Sequence, residues 1–362
     1  MINTTSNRIL IYAPGIHTGG GQVLLDELVN TVSLLCPEEF CFYFDRRYKP
    51  PETSSVDHQA IPVGLLGRLV LELNLAIFRG TKKFLGILSF SNFPLIVKPN
   101  CSSVVYMQNR LIIDGRKIKG YGFKKRLRNF LQFSLFKLLK KNTDLFYVQT
   151  ESMKNALCDV KVQRPIFILP FLPASYSSNF LPQAGMKKKY DFIYVTSDEH
   201  HKNHSIIFDA LRLLKSSGSF PSVCMTTEQD SKIDIEIQSM RNGEGIQIYS
   251  KMPANLKEIA DLYRDSRALI YPSLCESFGL PLLEASFCKI PIIGADLDYI
   301  DEYVQPISKF NPFSPNSLAE SMSSFLNGEY DDHSFDYKAE ISTGAEFLSS
   351  LKSHIINLGD SN

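Results

Sequence analysis

Two successive series of short apolar runs, separated by longer amphipathic stretches, restrict this chain more than any other feature of its sequence. Parallel strands need long crossovers, which are usually helices, so the pattern predicts an α/β fold. In the first half, runs at 8–13, 40–44, 85–90, 103–107, 145–149 and 165–169 read as strands, and 22–35, 65–78 and 124–140 as helices. In the second half, 190–196, 222–226, 246–249, 268–271 and 290–294 read as strands, with helices at 205–215, 255–265 and 281–287. The 362 residues, 44% of them hydrophobic, supply two cores. The stretch from Pro170 to Lys189 lacks either period and carries Pro170 and Pro173 close together, as a linker does. The boundaries read as a first Rossmann-like domain over 1–172, a linker over 173–189, a second Rossmann-like domain over 190–330 and a tail over 331–362. Two doubly wound domains facing a central cleft would line it with the carboxyl ends of their strands, where open α/β folds bind ligands.

Charge and composition exclude several classes. The 39 Lys plus Arg balance 38 Asp plus Glu, which argues against nucleic acid as a partner. No run reaches the roughly 20 apolar residues that span a bilayer, since 61–78 is broken by Arg68, Glu72 and Asn74. Met1 to Arg8 is polar and leads straight into Ile9, so no secretory signal is read and a cytoplasmic location is expected. Seven cysteines without a CxxC pair suit a reducing compartment. His200 and His204 stand four apart as two ligands on a helix could, but no third ligand has the matching spacing, and no metal site is predicted.

Two strand-to-helix junctions carry the chemistry. After the first strand, Gly19, Gly20 and Gly21 form a loop whose amides can approach a phosphate with no Cβ in the way, at the positive end of a helix. The spacing fits neither the dinucleotide fingerprint nor the P-loop, and a tight turn explains it equally well. The stronger junction runs from Tyr271 through Glu276, Ser277, Phe278, Gly279, Leu280 and Pro281 to Glu284. Pro281 suits the first helical turn. The amides near Phe278, Gly279 and Leu280 can then meet an anion or a sugar hydroxyl, and two carboxylates a helical turn or so apart can accept hydroxyls of one ligand.

With a Glu, seven residues and a second Glu enclosing Phe-Gly-Leu-Pro, the chain resembles the family 4 glycosyltransferases, retaining enzymes of the GT-B fold. The resemblance extends over the glycines at 19–21, Lys202-Asn203 before a helix, and 294–302. It implies a fold of two Rossmann-like domains, with a tail helix crossing back to the first. Glu276 would hold the donor sugar, with Ser277 and the amides of Phe278, Gly279 and Leu280. Lys202 would neutralise the donor diphosphate, and Glu284 would take the ribose hydroxyls. Lys251 and Met252 would lie by the base, Gln108 and Asn109 on the acceptor side. No cofactor and no metal are expected; Asp296-Leu297-Asp298 reads as a solvated turn. The substrates implied are a nucleotide-diphosphate sugar of hexose type, mannosyl or galactosyl, and a glycan or lipid-linked acceptor in lipopolysaccharide, O-antigen or capsule synthesis.

Two departures bear on this reading. Where the family has an Arg after the first strand of the second domain, this chain has Val195-Thr196-Ser197-Asp198, and His200 or His201 would have to supply the cation in its place. Where many members have a sugar-facing His, it has Gln108 and Asn109, which cannot serve as bases near neutral pH. Two alternatives stay open: a GT-B nucleotide-sugar epimerase, and a transfer-inactive nucleotide-sugar-binding protein. Finally, 116–141 holds ten Lys or Arg and no Asp or Glu, interleaved with Phe and Leu. It reads either as a helix lying on an anionic membrane, which would place the protein on the inner face of the cytoplasmic membrane, or as a domain helix with a buried aromatic side.

Overall fold

The computed structural model describes residues 8–61, 64, 68–73, 84–183, 185, 187–330 and 340–360. The chain divides into two compact units: residues 1–117, 122–174 and 340–362 form the first, and 118–121 with 175–339 the second.

The first unit is built on a seven-stranded parallel sheet of β1 (Arg8–Ala13), β2 (Phe40–Asp45), β3 (His58–Ile61), β4 (Phe84–Ser89), β5 (Ser102–Met107), β6 (Leu145–Val148) and β7 (Ile166–Ile168). Its order is β3-β2-β1-β4-β5-β6-β7, so the winding reverses between β1 and β4. The central strands are buried along nearly their whole length, as expected where helices cover both faces. Its helices are α1 (Gly19–Leu35), α2 (Leu111–Asp114), α3 (Phe123–Leu139), α4 (Glu151–Asp159) and α10 (Gly344–Asp360). Of the predicted helix 65–78, residues 68–73 are helical, and 65–67 and 74–78 lie outside the described residues.

The helix α10 packs on β4, β5 and α1. Ile355 lies so close over Gly86 that a Cβ there would come within 2.6 Å of its side chain. The Phe347 ring packs tilted against Phe171 at 4.3 Å, and the Ser102 hydroxyl donates to the Ile355 carbonyl at 3.1 Å. Buried Phe347, Leu348, Leu351 and Ile355 each contribute about 1.5–3 kcal/mol.

The second unit holds six parallel strands: β8 (Tyr190–Tyr194), β9 (Val223–Thr226), β10 (Ile248–Lys251), β11 (Ser266–Tyr271), β12 (Ile292–Ala295) and β13 (Ser308–Phe310). The order β10-β9-β8-β11-β12-β13 is that of a Rossmann sheet, with its switch point between β8 and β11. Its helices are α5 (His204–Ser216), α6 (Lys232–Gly243), α7 (Leu256–Arg264), α8 (Leu280–Phe287) and α9 (Pro315–Leu326). The two parallel Rossmann-like sheets agree with the predicted fold class.

Part of the stretch read as a linker is core. A 3-10 turn at Ser177–Phe180 buries Tyr176 and Phe180 against α7 and α8. Aromatic residues spaced for a turn show neither helix nor strand period, so the sequence pattern did not reveal them.

Candidate active site

The switch point of the second sheet puts the loops after β8 and β11 side by side, the place where an open α/β sheet offers a binding crevice. From β8 the chain runs through Thr196 and Asp198 into a 3-10 turn at His200–Lys202, and Asn203 takes a left-handed conformation (φ 57°) that redirects it into α5. Asn203 Nδ2 donates to the carbonyls of Pro312 (2.9 Å) and Pro272 (3.3 Å). The Leu274 amide donates to the His201 carbonyl at 2.7 Å, and the Tyr194 hydroxyl to the Lys202 carbonyl at 2.7 Å. The turn carrying Lys202 is therefore fixed to the loop carrying Glu276.

Lys202 Nζ donates to Glu276 Oε1 at 2.7 Å, with both side chains largely buried. Burial pushes the Glu276 carboxyl up, but the charges of Lys202 and His201 and hydrogen bonds from Lys202 and Ser273 outweigh it and hold the group below its ordinary value. Glu276 is thus an anion at neutral pH. Just beyond it, Gly279 caps α8 with φ +72°, a left-handed turn that favours glycine, and a Cβ there would sit 3.0 Å from Leu282. Phe278 is buried edge-on against Tyr303. Pro281 occupies the first turn of α8, where the Leu282 amide donates to the Gly279 carbonyl at 2.9 Å and no side chain caps the helix.

Glu284 lies in a different environment. It is 5% exposed; its Oε1 accepts from the Tyr176 hydroxyl at 2.5 Å and its Oε2 from the Tyr263 hydroxyl at 2.9 Å. Burial raises its carboxyl above the ordinary value, and the two hydroxyls oppose that rise. The two carboxylates of the motif therefore have separate partners.

Several other residues of interest fall elsewhere. Gly19, Gly20 and Gly21 belong to the first turn of α1 rather than to a loop before it, because Gly19 at φ +67° makes the turn and the helix starts at once. A Cβ on Gly21 would lie 3.5 Å from Gln108 Oε1, so these two neighbour one another in the first unit. The Asn109 side chain accepts from the Leu111 amide, a local cap on α2. Lys251 and Met252 sit exposed at the end of β10, two strands from β8. His200 turns to the Lys119 carbonyl at 3.1 Å and to the Tyr121 ring. His201 is the buried one and stands near enough to Glu276 to help lower its carboxyl. Both carboxylate oxygens of Asp198 are buried without a hydrogen-bond partner among the described residues. Asp296 and Asp298 are exposed, and among the described residues no group of three or more metal-ligating side chains is placed to hold an ion.

Comparison with known proteins bears on this second unit. Residues 179–341, which lie almost wholly in the second unit, match the family described as Glycosyl transferases group 1. A serotype-specific mannosyltransferase, WbdA, of Escherichia coli is 29% identical over 164 residues, 43% of this chain and 20% of that protein. The chain thus matches about one fifth of that relative's length. The O-antigen chain mannosyltransferase RfbU of Salmonella typhimurium is 29% identical over 126 residues, 34% of each chain. Among solved structures, a sucrose-phosphate synthase of Thermosynechococcus elongatus superposes with a TM-score of 0.70 at 12% identity, covering 98% of both chains. Anabaena Alr3699/HepE in complex with UDP-glucose gives 0.63 at 12% identity over 98% of this chain and 97% of that one. The fold is that of the GT-B glycosyltransferases.

Proposed function

We propose that the protein is a retaining glycosyltransferase of family 4 type that moves a hexosyl group, mannosyl in the first instance, from a nucleotide-diphosphate sugar to a glycan or lipid-linked acceptor. The observation that carries this reading is the Lys202–Glu276 pair at the switch point of a glycosyl transferase group 1 domain, set beside the start of α8. The mannosyltransferase relatives favour mannose and a surface polysaccharide such as O-antigen.

The roles follow from the chemistry. An ammonium has three N–H donors, so Lys202 can keep Glu276 and still bind a donor phosphate. The ionised Glu276 accepts hydroxyls of the donor sugar, while Ser277 and the amides near Phe278, Gly279 and Leu280 face the same sugar. As the glycosidic bond breaks, charge builds on the leaving diphosphate, and Lys202 with the amide end of α8 stabilises it without a metal ion. Retention with no enzymic nucleophile fits a front-face path in which the leaving phosphate takes the acceptor proton. Glu284 takes the ribose, Lys251 and Met252 the base, Gly19, Gly20 and Gly21 the donor sugar and phosphate, and Gln108 and Asn109 serve the acceptor side. Asp198, where a cation would help the phosphates, favours a second reading: a protein that binds the nucleotide sugar without transferring it.

Thermal unfolding of wild type and Lys202→Ala with UDP, GDP, dTDP, CDP and ADP tests the donor site. A nucleotide at about 100 times its Kd adds roughly 2.7 kcal/mol, and the variant should lose most of that gain. No stabilisation by any of the five overturns the reading. With the nucleotide known, glycoside product formed from its sugar and an acceptor separates transfer from binding alone.

A further inference from the structure

The helix α3 belongs to the first unit, and the donor chemistry is assigned to the second. Asn129, Phe136 and Leu139 are the buried residues of α3, with Phe136 seated in the apolar cluster of Val105, Met107, Ile113 and Phe146. Five large apolar residues face away: Phe123, Leu127, Phe130, Leu131 and Leu138 are between 47% and 80% exposed. Their spacing of i, i+4, i+7, i+8 and i+15 places them along one stripe of the helix. Most of the aromatic and aliphatic residues of this segment are thus outside the core. Exposed Lys124, Arg126, Arg128, Lys137 and Lys141 flank the stripe, and no acidic residue occurs anywhere between Asp114 and Asp144.

We propose that this face of α3 docks the protein on an anionic lipid bilayer, with the apolar stripe entering the headgroup boundary and the cations held at the phosphates. An apolar stripe alone would fit several partners; the charge selects among them. A stripe bordered only by cations suits a surface that is apolar inside and uniformly anionic at its rim, and long basic side chains can keep their heads at that rim while their stems lie along it. Single-stranded nucleic acid would engage the cations and could stack on Phe123 and Phe130, but it has no use for Leu127, Leu131 and Leu138. Among the described residues no helix is long and apolar enough to cross a membrane, so the contact is interfacial. This surface stands independently of the donor-site reading.

The test is co-sedimentation of the full chain with vesicles of phosphatidylcholine alone and of the same lipid with about one third phosphatidylglycerol. Two variants accompany it: Phe130→Ser/Leu131→Ser, which empties the stripe, and Lys124→Glu/Arg128→Glu, which reverses two cations. Their thermal midpoints report whether each still folds, and exposed positions make that the expected result. Wild type should partition onto the anionic vesicles about tenfold or more better than onto the neutral ones, and each variant should lose a comparable factor. High salt should weaken the wild type's binding. Equal partitioning onto both vesicles, or folded variants that bind as well as wild type, overturns the proposal. So does a preference for single-stranded RNA that survives the Phe130→Ser/Leu131→Ser change, or concentration-dependent dimerisation that those changes abolish while vesicle binding is absent.

Discussion

The tyrosine pair around Glu284 gives a quantitative test of how the second carboxylate of the motif is held. Tyr263→Phe removes one hydroxyl and leaves the ring, so no cavity opens. What is lost is a hydrogen bond at 2.9 Å to a carboxylate that is 5% exposed, with a longer contact at 3.3 Å to the Pro281 carbonyl, from a hydroxyl on a fully buried side chain. Bonds to charged groups contribute about 1.5–3 kcal/mol, and no solvent is at hand to replace this one. About 2 kcal/mol corresponds to a fall of roughly 4–8 °C in the unfolding midpoint of a unit this size. The loss also depends on pH. Burial holds the Glu284 carboxyl above its ordinary 4.5, so the folded state binds that proton more tightly than the unfolded chain. Its contribution to stability is full below that ordinary value and is lost as pH rises through the folded-state value. Tyr263 opposes the upward shift; without it the folded-state value rises further, and the gap between variant and wild type widens with pH. Denaturant unfolding near pH 4 and pH 8 measures this directly, and a Glu284→Gln background should shrink the Tyr263→Phe penalty by about 1 kcal/mol or more. A penalty under about 0.5 kcal/mol, or one of equal size at both pH values and in the Gln background, refutes the reasoning.

Two further outcomes follow from the same unit. Gly279→Ala places a Cβ 3.0 Å from Leu282 Cδ1 at φ +72° and should cost about 1–2 kcal/mol in chemical denaturation, with Gly279→Asn milder because Asn enters the left-handed region more readily. His204 is pushed down to about 4, chiefly by burial with help from Lys202 and His201 and opposed by Asp198. It folds as the neutral ring, so its contribution is present above its ordinary 6.5 and is lost as pH falls towards 4, a change of at most about 3 kcal/mol. His204→Gln should flatten that acid limb, and a limb of unchanged steepness would exclude His204 as its source.

The sheet strands were legible because they are buried on both faces and read as continuous apolar runs. Elements outside that pattern were not. The strand β3 (His-Gln-Ala-Ile) is an edge strand with three exposed residues, and α6 buries only Asp234, Ile237 and Met240, too few to show a period. By contrast α9 could have been read: Ser314 caps it, Pro315 opens it, and Leu318, Met322 and Phe325 recur at i, i+4 and i+7. At the site, the Glu motif and Lys202 were visible as local patterns following strands. The donors to Glu284 were not, since Tyr176 lies 108 residues away and Tyr263 lies 21 away, and neither stands in a motif. The same holds for the His201 carbonyl that receives the Leu274 amide: a backbone clamp has no side-chain signature.

The two carboxylates of one short motif end with opposite electrostatics, and the fold explains why. Glu276 precedes α8, in the loop where β8 and β11 diverge, and there the neighbouring loop can bring Lys202 to within 2.7 Å. A paired cation offsets the cost of burial, and the carboxyl keeps its charge. Glu284 points from within α8 among the aromatic residues of α7 and the 3-10 turn before β8, where its side-chain donors among the described residues are two neutral hydroxyls. Neutral donors satisfy its oxygens without matching its charge, so its proton affinity rises. Under the proposed function the division is useful. An incoming diphosphate meets a lysine already oriented by Glu276, so little side-chain freedom is lost on binding. Glu284, clamped by two tyrosines, offers its remaining lone pairs in one fixed direction. The motif therefore supplies one residue tuned by charge and one fixed by hydrogen bonds, and each depends on a partner that lies outside the motif.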